Sequence, residues 1–404
     1  EIVGVGGGDL VLLGGSASQT QISQMPHDLV FDRVYLHGDP ALGQKRGIAA
    51  NSGTTHIVNS HISDIKAIGM DSQAICGWNG AGPFVIENNY IEAAGENIMF
   101  GGADPSIWNL VPSDITVRRN LLTKPLAWRG EKWSVKNAFE LKNARRVLVE
   151  GNVIEHVWQA SQAGIAVLLT VRNQNGRAPW SVVEDVVIRY NVVRHAGGAF
   201  NITGYDDLRP SAQSSRIQIA HNVVYDIDGG RWGGSGRFLQ IGNQPRDITV
   251  EHNTVIHTGN VITAYGKPIE GFVFRSNMLR HNTYGVTGDG QSPGNGTLQA
   301  YFPGARFEDN VLAGGRASSY PASNHFPTVA EFEASFTNIG EGDFTLVPGS
   351  SFRNSGGGSA LGADVSALAS ARGLAAQGQT PDAPAPAPAQ PSGAIGSIPI
   401  RRWP

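Results

Sequence analysis

A short run of alternating apolar and polar residues recurs along the chain, and each copy turns at an asparagine. Ile115-Thr-Val-Arg-Arg-Asn120-Leu-Leu122 is one copy; Val186-Val-Ile-Arg-Tyr-Asn191-Val-Val193 and Ile248-Thr-Val-Glu-His-Asn253-Thr-Val255 match it. The full set turns at Asn89, Asn120, Asn152, Asn191, Asn222, Asn253, Asn277 and Asn310, at successive spacings of 31, 32, 39, 31, 31, 24 and 33 residues. Two degenerate copies lie upstream, at 29–36 and 55–62, with Val34 and Ser60 in the asparagine place. Alternation, a turn and a resumed apolar stretch read as strand, tight turn, strand. Asparagine tolerates the left-handed backbone that such a turn needs, so it is expected to adopt it. Stacked at one corner, the amides are expected to bond to one another as a ladder.

A further strand is expected after each copy, at Asn97–Gly101, Ala138–Lys142, Ala166–Arg172, Phe200–Gly204, Phe238–Ile241 and Val261–Tyr265. Three short strands in each period of about 25–35 residues define a parallel β-solenoid. Ten copies give about ten coils, a rod on the order of 45–50 Å long at the usual strand spacing. The repeat fades after Leu312. The expected division is a solenoid over 1–345, a capping segment over 346–376 that ends the stack, and a Pro/Ala-rich linker or tail over 377–404. Short helices are expected near 329–335 and 364–372, where helical composition replaces strand alternation.

Composition narrows the function classes. The formal net charge is −3 and only 16% of residues are charged, so the chain lacks the basic balance of a general nucleic-acid or anionic-membrane binder. A single cysteine, Cys76, excludes an intramolecular disulfide framework and a cysteine-rich zinc site. No apolar run approaches the roughly 18 residues of a membrane helix. No signal peptide is visible, and residue 1 falls inside a strand-like stretch, which is expected of a processed or truncated chain.

The strand-turn-Asn repeats resemble the right-handed parallel β-helix proteins of the pectate-lyase-like superfamily over about residues 20–370. The strings GMDSQAICGWNG (69–80), AAGENIMFGGADPS (93–106), FELKNARRVLVEGN (139–152) and APWSVVEDV (178–186) look more narrowly like a group of bacterial extracellular β-helix repeat proteins of unassigned activity. The resemblance implies an all-β, single-stranded right-handed parallel β-helix and a secreted or cell-surface bacterial protein. It also implies a polysaccharide partner, held in a groove on the strands that follow the longest loops. The superfamily includes lyases, hydrolases and non-catalytic adhesins, and fold alone does not choose among them.

Strand parity then nominates residues. Phe139 and Leu141 should face the core, leaving Glu140 and Lys142 outside; the same parity exposes Thr170 and Arg172, then Asn201 and Thr203. The resulting column holds Asp71 and Gln73, Glu96 and Asn97, Glu140 and Lys142, Arg172 and Asn173, Asp206 and Asp207, and Gln240. Acids beside cations on a groove floor suit an acidic glycan. In a lyase, Lys142 or Arg172 would remove the proton next to the carboxylate, with calcium on Asp206, Asp207 or Glu140 neutralising the uronate. A hydrolase would use Glu140 and Asp206 as a carboxyl pair. Seven of the eight tryptophans fall between residues 78 and 232, and Trp180 and Trp232 are expected to stack on sugar rings. The competing expectation is a non-catalytic surface, matrix or self-assembling solenoid. Against it, loops, tryptophan and charge concentrate between residues 69 and 245. The asparagine ladder and the histidines at His221 and His252 are expected to be structural.

Overall fold

The computed structural model describes residues 1–15, 18–355 and 360–373. It is a right-handed parallel β-helix. Successive strands of the chain belong in rotation to three sheets of eleven, ten and ten strands, and every pair within these sheets is parallel. The second strand of the chain, Gly6–Leu13, opens the sheet on which the expected groove lies. Its later members are Gln73–Gly77, Glu96–Phe100, Phe139–Leu141, Ile165–Thr170, Gly198–Thr203, Arg237–Gly242 and Ile262–Tyr265.

Parity fills the core. Ile48, Ile75, Ile98, Phe139, Val167, Phe200, Leu239, Ile262 and Val286 stand in one register column, each paired with the next, and each is almost wholly buried. Parallel strands need their inward faces filled in this way because water cannot satisfy the interior.

The asparagine ladder is continuous. From Asn89 to Asn277 each backbone N–H and side-chain amide donates to the carboxamide oxygen of the next asparagine, at 2.9 to 3.1 Å. It extends one rung beyond the repeats, from Asn310 to Asn324. The left-handed backbone sits one residue earlier than expected. Asn88, Arg119, Tyr190, His221, His252, Ser276 and Asp309 have φ between 51° and 57°, with Gly151 in the same place. The preceding residue makes the corner, and the asparagine is left free to send its amide along the stack.

The C-terminal segment departs from the expected end cap. The last solenoid strand is Val311–Ala313, and the end of the stack is closed by Tyr320, which stacks on Phe307, and by Phe326 beyond it. The helices at Val329–Glu333 and Val365–Arg372 form near their expected places; the first carries a reciprocal Thr328–Glu331 capping box. Asn295–Tyr301 and Gly229–Trp232 are further helices that the alternation did not announce. From Val329 onward the chain turns back along the outside of the rod. Gly362 N–H donates to Ser276 O, Ala363 N–H to Thr254 Oγ1, and Arg119 Nε to Ala371 O. Phe332, Phe336, Phe344, Phe352, Leu361 and Leu368 cover a column of outward residues that includes Val153, Val192, Val223, Met278 and Val311. The Pro/Ala-rich stretch expected as a tail lies outside the described residues. Among the described residues no helix is long and apolar enough to cross a membrane.

Candidate functional site

The expected sheet carries a groove of about 580 Å³ on its outer face. Its floor comes from outward positions on successive strands: Lys142 just past Phe139–Leu141, Thr170 and Arg172, then Asn201 and Thr203, then Gln240. The register stacks Asn201 on Gln240 and Thr170 on Thr203. Tyr205, Asp206 and Asp207 rise from the loop after Gly198–Thr203, and Tyr265, Asp71 and Lys136 complete the rim.

Two of the four nominated catalytic residues open into the groove with their charge accessible, and two are covered. The Lys142 and Arg172 side chains keep 23% and 25% exposure, while Glu140 and Asp206 keep none. Glu140 therefore does not stand free on the groove floor as parity suggested. Its carboxylate is roofed by Lys142 Nζ at 2.7 Å and accepts from Asn137 Nδ2 at 3.0 Å. Asp206 accepts from Arg172 Nη1 at 2.9 Å and from the backbone N–H groups of Asn173 and Leu208 at 2.6 and 2.9 Å. It staples two loops and holds a guanidinium.

Calcium does not fit this donor set. The Asp206 oxygens are taken by a cation and two amide protons, Asp207 accepts from the Asn243 side-chain amide, and Glu140 already carries an ammonium. A divalent cation needs several open carboxylate oxygens; here those of Glu140 and Asp206 face donors, and the exposed Asp207 alone keeps one open.

The remaining nominations divide in the same way. Gln240 lines the groove. Gln73 and Glu96 are buried in a polar chain beside it: Asp9 to Arg46 Nη1 at 2.6 Å, Arg46 Nε to Gln73 at 3.0 Å, Gln73 Nε2 to Glu96 at 3.0 Å. Asn97 turns into the corner of the rod, where its amide bonds Ile91 O and Thr123 O and its oxygen receives the buried Lys124 ammonium. Asn173 is fully buried and bridges Pro210 O and Ala178 N–H. Trp180 packs edge-on against Trp108 and donates to Leu110 O. Trp232 is buried in a small core with Trp128, Trp133 and Trp158. Neither tryptophan borders the groove; long loops need an apolar filling of their own, and these rings supply it. The aromatic faces in the groove are Tyr205 and Tyr265. Strand parity points to Tyr265, two residues beyond Thr263, whereas Lys136 lies in a loop with no periodic signal.

The Asn201 side chain lines the groove, and its carboxamide oxygen is buried without a hydrogen-bond partner in the protein. Lys136 ties Asp71 at 2.5 Å and approaches Glu96 at 3.6 Å. Burial opposes its charge, but Glu96 and then Asp71 hold its pKa above the ordinary value. Burial, and next the Glu140 carboxylate, push Glu96 up to about 7.

That shift has a stability consequence. A carboxyl whose folded pKa lies above its unfolded one binds more protons in the native state, so stability falls as pH rises from its ordinary 4.5 to about 7. The thermal midpoint of the wild-type protein should therefore fall more between about pH 5 and about pH 8 than that of Glu96→Gln. Parallel pH profiles for the two proteins would show that Glu96 does not titrate in this window.

Fold and groove together define a parallel β-helix protein with a polar, cation-bearing cleft on one sheet. No family model matches the chain, and no curated protein matches it. Among solved structures it is similar to a mutant tailspike protein of E. coli bacteriophage HK620, solved in complex with a pentasaccharide, at 13% identity and a TM-score of 0.39. The match covers 80% of this chain and 58% of the tailspike.

Proposed function

We propose that the groove binds an acidic polysaccharide, with Lys142 and Arg172 meeting its anionic groups. The observation that supports this reading is the layering of charge. Two cations from successive coils keep their heads in the groove while their carboxylate partners are wholly covered. A ligand approaching from solvent meets the cations first. Coils repeat at roughly 4.8 Å, close to the rise of one sugar along an extended chain. Thr170, Thr203, Gln240 and Asn201 offer polar side chains to hydroxyls, and Tyr205 and Tyr265 offer ring faces.

The same layering weighs against hydrolysis through Glu140 and Asp206, because neither carboxyl is free to meet a glycosidic oxygen. It also engages Lys142 and Arg172 in ion pairs with those same carboxylates. They then act as electrostatic groups that can stabilise an enolate-like anion, and not as proton acceptors. Such a protein belongs outside the cell or on its surface, where polysaccharides are met.

The test is retention on immobilised polyuronates and sulfated glycans beside a neutral glucan, over a salt series. Selective retention of the protein by acidic chains, weakened by salt, is expected. Equal affinity for the neutral glucan, or none for any acidic chain, overturns the reading. The same incubations report chemistry: new ultraviolet absorbance from unsaturated uronates marks β-elimination, reducing ends without it mark hydrolysis, and silence in both marks a binding module.

A further inference from the structure

On the sheet next to the groove, Val153–Val157, Val192–Ala196 and Val223–Ile227 are successive strands. His156, His195 and Asp226 occupy the same corner of the three, each with a left-handed backbone at φ of 60°, 55° and 51°. None of them lines the groove. The His156 and His195 rings stack, with centroids 5.1 Å apart and planes inclined by 11°. Glu155 joins them, and one ligand atom from each of the three lies within 4.8 Å of the other two.

We propose that Glu155, His156 and His195 form a site for a divalent transition-metal ion of the zinc class, separate from the groove. Three features carry this. Glu155 Oε1 and His156 Nδ1 stand 3.5 Å apart. Two ligand atoms on one tetrahedral zinc at roughly 2.0–2.2 Å are separated by about 3.3–3.5 Å. His195 Nδ1 is engaged by Asp226 at 2.7 Å, which leaves Nε2 as the ring nitrogen open to a metal; a carboxylate behind a histidine is how metal-bound imidazoles are oriented. Asp226 is itself fixed by Trp232 Nε1 at 2.9 Å and by Arg231 at 3.3 Å.

Arg194 completes the arrangement without blocking it. It takes the other Glu155 oxygen, Oε2, at 2.7 Å, so the carboxylate can bind through one oxygen with its orientation held. The Thr123 hydroxyl approaches Glu155 Oε1 and His156 Nδ1 at 3.3 and 3.2 Å, and a metal would displace this weak contact. Side-chain exposures of 22% for His156 and 12% for His195 leave a way in from solvent. Three protein ligands leave a fourth position for water or a substrate oxygen, the pattern of open zinc sites.

The experiment uses the full chain without an affinity tag, titrated with zinc chloride against a chromophoric chelator. One saturable equivalent is expected, weakened at least tenfold by His195→Ala and by His156→Ala. Asp226→Asn should weaken it by about 10- to 100-fold, the range for lost support behind a ligand. X-ray absorption of the zinc-loaded wild-type protein gives a readout that needs no variant, and should show two imidazoles and an oxygen donor. No saturation up to millimolar zinc, a spectrum with fewer than two imidazoles, or affinity unchanged in both histidine variants overturns the proposal.

Discussion

Asn191→Ala should lower the unfolding free energy by roughly 3–5 kcal/mol, and Asn191→Asp by more at neutral pH. Asn191 is wholly buried in mid-ladder. Its oxygen accepts from the Asn152 backbone N–H and side-chain amide, and its own amide donates to Val149 O, Arg189 O and Asn222 Oδ1. Alanine removes the acceptor of the Asn152 N–H and takes one donor from each of Val149 O and Arg189 O, in a place closed to water. Each such loss costs about 1–3 kcal/mol. Aspartate is isosteric, but it sets a carboxylate oxygen against three acceptors. Protonation relieves that conflict, so the folded pKa of the new carboxyl must lie above its unfolded value. The variant then gains stability relative to wild type as pH falls toward the ordinary carboxyl range and loses it as pH rises. Chemical denaturation of both variants at two pH values checks the order. An aspartate variant as stable as the alanine one at neutral pH would mean that the amide bonds do not direct the ladder.

The repeat made the ladder legible because it couples two periodicities: alternation along each strand and asparagine at a fixed offset from it. The ladder's last rung had no such support. Asn324 follows Asn310 by only 14 residues and has no alternating strand before it. The returning C-terminal segment did leave a trace. Two apolar residues follow most of the asparagines, as in Val153-Ile154, Val192-Val193 and Val223-Val224. Ile154, Val193 and Val224 enter the core, whereas Val153, Val192 and Val223 point outward. An apolar column on the outside of a solenoid calls for a cover, and Phe332 to Leu368 provide it.

In the groove, parity gave the direction of each side chain but not its exposure. Glu140 does leave the strand on the outer face, yet Lys142 and its neighbours close over it. Parity within one strand cannot show what a long side chain two residues on will cover. The tryptophans misled for a related reason. Their density in the loops is real, but Trp232 and Trp158 serve a loop core, and the rings that border the groove are Tyr265, which ends a groove strand, and Tyr205, in the loop after another.

Removing both groove cations should nearly abolish binding of an acidic glycan. A charge-assisted hydrogen bond contributes about 1.5–3 kcal/mol, so each cation accounts for roughly ten- to a hundredfold in affinity. The plain alanine variants are poor tools. Lys142→Ala would strand the buried Glu140 carboxylate and Arg172→Ala the buried Asp206, and a buried charge without its partner costs about 3–5 kcal/mol. Glu140→Ala is equally unsuitable, because a fully covered residue does not leave the thermal midpoint unchanged. Paired neutral substitutions avoid the problem: Lys142→Met with Glu140→Gln, and Arg172→Gln with Asp206→Asn. Each pair removes one exposed cation together with the charge beneath it, so net charge and folding are preserved while the layering is erased. Each is expected to keep a near-native melting temperature, to lose at least tenfold in affinity for the acidic glycan, and to flatten its salt dependence. Glu140→Gln alone serves as the control; it leaves the Lys142 cation in place and should bind at least as well as wild type. If both paired variants fold and retain wild-type affinity, the anionic groups of the glycan do not meet Lys142 and Arg172, and another face of the rod must hold the ligand.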